Sequence, residues 1–312
     1  MNKSLMIGAV FSLASALAYA VLTATIKAYV VETPMPLLIF MQSIVCLFLT
    51  MLFVIRKYKW QFISLNQFSS VKRYHFLRAI FSLGLSYLLF LSLSYIPYID
   101  AILLFNTFPL WAIIFGFILF KNELNLLVIP MVVVGFLGVL FSIGFDRGVF
   151  SFGALLAVGS AISAALSILM QKKALTKDDS IKSLFYYFLV ATVISGLISI
   201  PYWHSLHHIG ILIIAGVLLF VSQAGLILAT QFTIPQVVSA LYYSNIVFSL
   251  VISLIYLNGS LSVSMLFGMF LIIISGLGVV YFQSKTNKKK SHQMTKVKTL
   301  SKPIIKRVVS YT

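Results

Sequence analysis

"SYIPYIDAILLFNTFPLW" (94–111) returns in outline as "TIPQVVSALYYSNIVFS" (233–249). The two align without a gap at an offset of 138. Ile96-Pro97 meets Ile234-Pro235, Asn106 meets Ser244, Thr107 meets Asn245, and further on Gly138 meets Gly276. Upstream, "GAVFSLASALAYAVLTATIKA" (8–28) pairs with "GALLAVGSAISAALSILMQKK" (153–173) at an offset of 145, placing Gly8 on Gly153 and Lys27 on Lys172. The chain is two copies of one unit. Each copy sets polar side chains inside an apolar stretch, which is costly unless they find partners or a water-lined cavity.

Composition names the solvent. Hydrophobic residues make up 61% of the 312 and charged residues 9%, too apolar for a soluble fold. No Asp, Glu, Lys or Arg occurs between Ser183 and Ser284. At roughly 20 residues per crossing, that run alone holds several transmembrane helices. Charges, prolines and glycines divide the chain into ten apolar segments: 4–26, 35–55, 78–96, 100–120, 124–145, 149–171, 183–202, 209–230, 236–257 and 262–283. Ala18-Tyr19-Ala20 has the small-residue pattern of a signal-peptide cleavage site, but apolar sequence continues to Ile26 and the repeat counts this segment as its first helix. Cys46 is the only cysteine, so no intramolecular disulfide forms.

Placing the N-terminus in the cytoplasm puts 21 of the 23 Lys and Arg residues on that side, with only Lys27 and Arg147 opposite. The expected fold is an all-α polytopic membrane protein of ten transmembrane helices with both termini cytoplasmic. Residues 4–145 and 149–283 form its two five-helix repeats. Five is odd, so the second copy enters the membrane inverted, an arrangement associated with alternating access. Residues 284–312 are expected as a disordered basic cytoplasmic tail. It carries nine of the cations and no acid, and reads as a partner for anionic lipid headgroups rather than nucleic acid.

Two five-helix halves, a Lys closing the first helix of each, and a Pro-containing fourth helix followed by an acidic turn ("FKNEL", with Glu123) resemble the EamA-like branch of the drug/metabolite transporter superfamily. The resemblance covers residues 5–283 and rests on diffuse patterns of small residues. It implies the fold and a transport function, and leaves the substrate open. The second half departs from the pattern: Val247 stands where the first half has Pro109, and Asn258-Gly259-Ser260 lacks the acid. Arg78, opening the third segment ahead of "SYLLFLSLSYIP", resembles the branch that includes S-adenosylmethionine carriers, which implies an S-adenosylmethionine- or nucleotide-type exchanger as the alternative.

Candidate site residues follow from helical spacing. Tyr242, Asn245, Ser249 and Ser253 share one face of the ninth segment. Ser160, Ser163, Ser167 and Gln171 share one on the sixth, and Ser12, Ser15, Tyr19 and Thr23 one on the first. Serine stripes read as helix-packing surfaces, whereas buried amides and tyrosines favour a cavity. The expected substrate-binding set is therefore Tyr19, Tyr87, Asn106, Thr107, Gln223, Tyr242 and Asn245. Pro109 is expected to bend the fourth helix, and Asp100 to cap it, with proton coupling or gating as the other role for both. His204, His207 and His208 crowd one turn without a nearby carboxylate or Cys, so no metal is expected there.

No H-E-x-x-H, G-x-S-x-G or phosphate-binding loop occurs, and six acids leave little material for acid–base chemistry, so neither catalysis nor a cofactor is expected. A passive anchor or receptor would not need two inverted halves. The reading is a secondary transporter in the plasma membrane, the inner membrane of a bacterium. Its site is expected to hold no fixed charge, which suits an amino acid or related neutral or zwitterionic small molecule.

Overall fold

The structure is a computed structural model. It describes residues 3–29, 33–59, 69–120, 127–143, 151–205, 208–232, 238, 241–258, 262–278 and 281–282. Glu32, Lys121, Glu123, Asp146, Arg147, His207 and the basic tail lie outside these residues.

The first half comprises α1 (Lys3–Tyr29), α2 (Met35–Tyr58), α3 (Lys72–Tyr95), α4 (Tyr98–Phe105), α5 (Phe108–Phe120) and α6 (Val128–Ile143). The second comprises α7 (Phe152–Ala174), α8 (Ser180–Ser199), α9 (Ile209–Phe232), α10 (Ser244–Tyr256) and α11 (Val263–Gly278), with a 3-10 turn over Ile200–Ser205. Among the described residues no strand occurs. Seven segments are long and apolar enough to cross a membrane: α1, α2, α3, α4 with α5, α7, α8 with its 3-10 turn, and α9. Val128–Gly138, Ser244–Tyr256 and Val263–Gly278 are shorter apolar helices at the fifth, ninth and tenth of the segments read from sequence. Large apolar side chains such as Phe48, Leu52, Leu197 and Val263 face outward, as lipid contact requires.

Helix ends follow local chemistry. Pro34 precedes α2 and Pro97 precedes α4, positions where a missing N–H costs nothing. Ser151 caps α7 by accepting from Ala154 N (3.3 Å), and Asp179 caps α8 by accepting from Lys182 N (2.9 Å). Lys27, at the end of α1, donates to the carbonyls of Leu93 and Ile96 and so satisfies acceptors left over at the end of α3.

Two expectations need correction. The third helix begins at Lys72 rather than 78, because "KRYHFL" is helical although too polar to register as apolar sequence. The fourth segment is not one bent helix but two helices, broken at Asn106-Thr107. Pro109 has no N–H to offer the carbonyl of Phe105, and its ring crowds that turn. Thr107 instead turns its hydroxyl onto Leu104 O (2.6 Å), and Pro109 becomes the second residue of α5, where proline is tolerated. The second half breaks near the matching place without a proline. Tyr243, which pairs with Phe105 one residue before the first-half break, separates the helical residues Leu241 and Tyr242 from α10. Its ring lies over Gly276, where any Cβ would collide with it, so glycine is required there.

The halves interlock. α3 packs most extensively on α7, and α1 on α9; the repeat offsets exchange these two pairs. α2 on α8 is the pair that maps onto itself. α1 also meets α10, as α7 meets α4 and α5. This is the packing of an inverted repeat, with every major interface joining one half to the other.

Candidate functional site

The break in the fourth helix is held by amides. Asn106 donates through Nδ2 to Ile102 O (2.8 Å) and to Asn245 Oδ1 (3.1 Å), while Asn245 donates to Ala16 O on α1 (3.0 Å). Asn106 is 1% exposed and Asn245 is fully buried. Nearby, Tyr98 donates to Ala20 O (2.9 Å), and its hydroxyl sits 3.0 and 3.2 Å from those of Thr23 and Ser249. These groups are consumed by one another. They tie α1, α4 and α10 together across the two halves.

The open space lies beside this clip. A cavity between the halves offers about 70 Å³ to the centres of water molecules. That is room for a handful of waters, so a solute needs the surrounding helices to part. An aromatic wall closes one side. Tyr19 stacks on Phe105 (5.5 Å between centroids), Phe105 meets Phe108 (5.5 Å), and Phe108 meets Tyr242 edge-on (6.2 Å). The break thus turns its asparagine away from the cavity and presents the two phenylalanines flanking it. Gln223, Ser86 and Gln171 line the remainder with Ser82 and Ser167, whose hydroxyls are 2.6 Å apart.

Of the expected set, the structure gathers Tyr19, Gln223 and Tyr242 around this cavity. Asn106, Thr107 and Asn245 lie behind its wall, in the clip, and Tyr87 is not among its lining residues. Pro109 starts α5. Asp100 is buried in the first turn of α4, where a carboxylate complements the helix dipole, but the cap position itself belongs to Pro97.

The lining also contradicts the expectation of a site without fixed charge. Arg78, 1% exposed, borders the cavity about one and a half turns into α3. It donates through Nη1 to Ser183 O (3.0 Å) and to Ser183 Oγ, and its guanidinium carbon lies 5.0 Å from the centre of the Tyr187 ring. Counting Arg78 among the loop cations followed from starting the helix at 78 instead of 72.

A second cluster escaped sequence reading altogether. Asp178 accepts from Ser69 Oγ and lies 2.7 Å from His75 Nε2, both on the first half. Asp179, besides capping α8, binds Lys57 Nζ (2.5 Å) and the Tyr58 hydroxyl at the end of α2. The two carboxylates fasten the α7–α8 turn to the first half. Two adjacent acids inside the basic run "QKKALTKDDSIK" were the available signal. A larger groove of about 430 Å³ runs from this latch along α1, α2, α8 and α9. Apart from the Lys57–Asp179 pair its walls are nearly all apolar, and Phe53 and Val221 in them are exposed, so it faces lipid rather than gathering chemistry. Among the described residues no three potential metal ligands come together.

The sequence profile of the EamA-like transporter family matches residues 6–144 and again 151–281. The chain belongs to the EamA-like transporter family. As such it is a multi-pass integral membrane protein, and its two matches coincide with the two interlocked halves. No curated protein matches it. Among solved structures, one crystal structure of a protein aligns over 92% of this chain and 99% of its own with a TM-score of 0.60, at 18% identity. At that identity the likeness carries the fold alone. The EamA-like transporter therefore presents a polar, aromatic-walled cavity at the junction of its repeats, a hydrogen-bonded clip at its broken helices, and a carboxylate latch at one end.

Proposed function

We propose that the protein is a secondary transporter that crosses the membrane ten times, with both termini cytoplasmic, and moves a small organic solute by alternating access. The observation that carries this reading is the cavity itself. It is bounded by α1, α3 and the flanks of the α4–α5 break from one half, and by α7, α8, α9 and Tyr242 from the other. Rocking one half against the other widens it toward one face or the other. Tyr19, Gln223 and Tyr242 contact the solute. Asn106, Thr107 and Asn245 act as the clip about which the broken helices move, with Pro109 at the joint and Asp100 beneath it. The Asp178–Asp179 latch holds the cytoplasmic side shut in the state described.

The solute is an amino acid or related zwitterionic small molecule, matched to a cavity of hydroxyls, amides and aromatic rings. The belt Tyr19–Phe105–Phe108 favours as a second reading a larger solute with a stacking ring, of the S-adenosylmethionine or nucleotide type. The protein resides in a plasma membrane, the inner membrane in a bacterium, with its basic tail against anionic headgroups.

Reconstitution into liposomes loaded with a metabolite pool tests the proposal. Labelled amino acids should exchange into these vesicles faster than into protein-free ones. Absence of exchange across amino acids, nucleosides and organic acids would contradict transport.

A further inference from the structure

Resting on the reading of this cavity as the transport site, we infer that Arg78 is the receptor for a carboxylate of the transported solute, so the substrate class is narrowed to solutes bearing one such group.

A cation taken out of water needs an anion or a full set of acceptors. Arg78 has neither from the protein. Among the described residues the ion pairs are Lys57–Asp179 and His75–Asp178, and Arg78 meets no carboxylate. Ser183 takes Nη1, the Tyr187 ring covers one face, and the buried Nε finds no acceptor. A guanidinium has five N–H donors in a planar fork, and most of that fork remains unused here.

A second orphan belongs to another residue of the same lining. The Tyr19 hydroxyl, on α1, is buried without a partner and borders the same cavity. Buried polar groups are nearly always satisfied, so two unsatisfied donors lining one cavity indicate a missing acceptor. The missing group must carry negative charge to balance Arg78 and at least two acceptor oxygens to meet donors on separate helices. A carboxylate has both, and its planar pair of oxygens fits the guanidinium fork. One uncompensated cation matches one carboxylate. The aromatic wall of Phe105, Phe108 and Tyr242 then receives the less polar part of the solute.

The test uses the purified full-length protein in detergent and follows its melting temperature with each standard amino acid, with the carboxamide of each one that binds, and with inorganic phosphate. At least one amino acid should raise the melting temperature while its amide does not. Arg78→Met should weaken that amino acid by roughly tenfold or more and erase the difference between acid and amide. Arg78→Lys keeps the charge without the fork and should retain part of the preference. Should Arg78→Met fail to fold, Arg78→Lys decides alone.

Equal stabilisation by acid and amide would overturn the inference, as would unchanged acid affinity in Arg78→Met with only a lower ligand-free melting temperature, the mark of a tether to Ser183. Phosphate binding as tightly as any amino acid would replace the carboxylate with a phosphoryl group. No response to any of these probes would remove the anion site. Exchange in liposomes separates this failure from that of the transport reading, because it can persist without any preference for acids.

Discussion

The seam between α3 and α7 and the seam between α9 and α1 are the same interface seen twice through the inverted repeat, and they carry different chemistry. Extending the 138 offset back along the third helix places Gly216 opposite Arg78 and Phe220 opposite Ser82. The 145 offset places Leu22 opposite Ser167 and Ile26 opposite Gln171. One seam brings a buried guanidinium and paired hydroxyls to the cavity. The other has apolar residues at those four positions, joins Ser15 Oγ to Ser222 O (2.6 Å), and gives the cavity Tyr19 and Gln223 instead. At Gly216 an added Cβ would lie 2.6 Å from Val45 on α2, so the position opposite Arg78 has no space for a counterpart. The repeat supplies matched packing, on which the proposed rocking motion depends. The two seams give the cavity different side chains, Arg78, Ser82 and Ser167 from one and Tyr19 and Gln223 from the other.

Substitutions at paired positions can break this contrast. The largest effect is expected at Arg78, where Met should lower exchange per folded molecule roughly tenfold or more, since a charge-assisted contact is lost. Its counterpart Gly216→Leu should instead lower stability, by about 1–3 kcal/mol of overpacking against Val45, and leave solute preference intact in the protein that folds. Melting temperature and exchange, measured on both variants, separate the two paired positions. A shift of preference in Gly216→Leu would mean that the α9–α2 contact also reads the solute.

The clip ranks next. Asn106→Ala and Asn245→Ala each strand a buried partner, at a cost of about 1–3 kcal/mol, and the double variant should cost less than their sum because the two share one hydrogen bond. Additivity in melting temperature would show that the amides act separately. The smallest effects are expected at Tyr242→Phe, which keeps the ring against Phe108, and at Ser253→Ala, which borders no described cavity. Exchange should fall a few-fold at most in the former and stay unchanged in the latter.

How much of this could be read from the chain depends on the scale of the signal. The helices were legible because lipid demands long apolar runs and punctuates them with charge and proline, and the repeat was legible because Ile-Pro recurs in register. The break was half legible. Pro109 announced a disturbance, but nothing in "ALYYSN" marks Tyr243, whose geometry depends on the space left by Gly276 far along the chain. Asn106 and Asn245 stand out in the sequence as costly to bury, yet sequence cannot tell an amide that awaits a ligand from two amides that satisfy each other. Arg78 was hidden by the charge count. A cation at the edge of an apolar run looks cytoplasmic until the polar turn before it proves helical. Asp178 and Asp179 were masked by the lysines around them.

If transport proceeds by alternating access, one cavity between the inverted halves opens in turn to the two sides. The most direct measurement replaces Cys46 with Ser, introduces a cysteine at Ser167 beside Arg78, and exposes right-side-out and inside-out vesicles to a membrane-impermeant thiol reagent. The account predicts labelling in both preparations, with the inside-out rate raised when Asp178→Asn releases the latch on His75 and Ser69. Labelling confined to one preparation, whether or not the latch is intact, would contradict it.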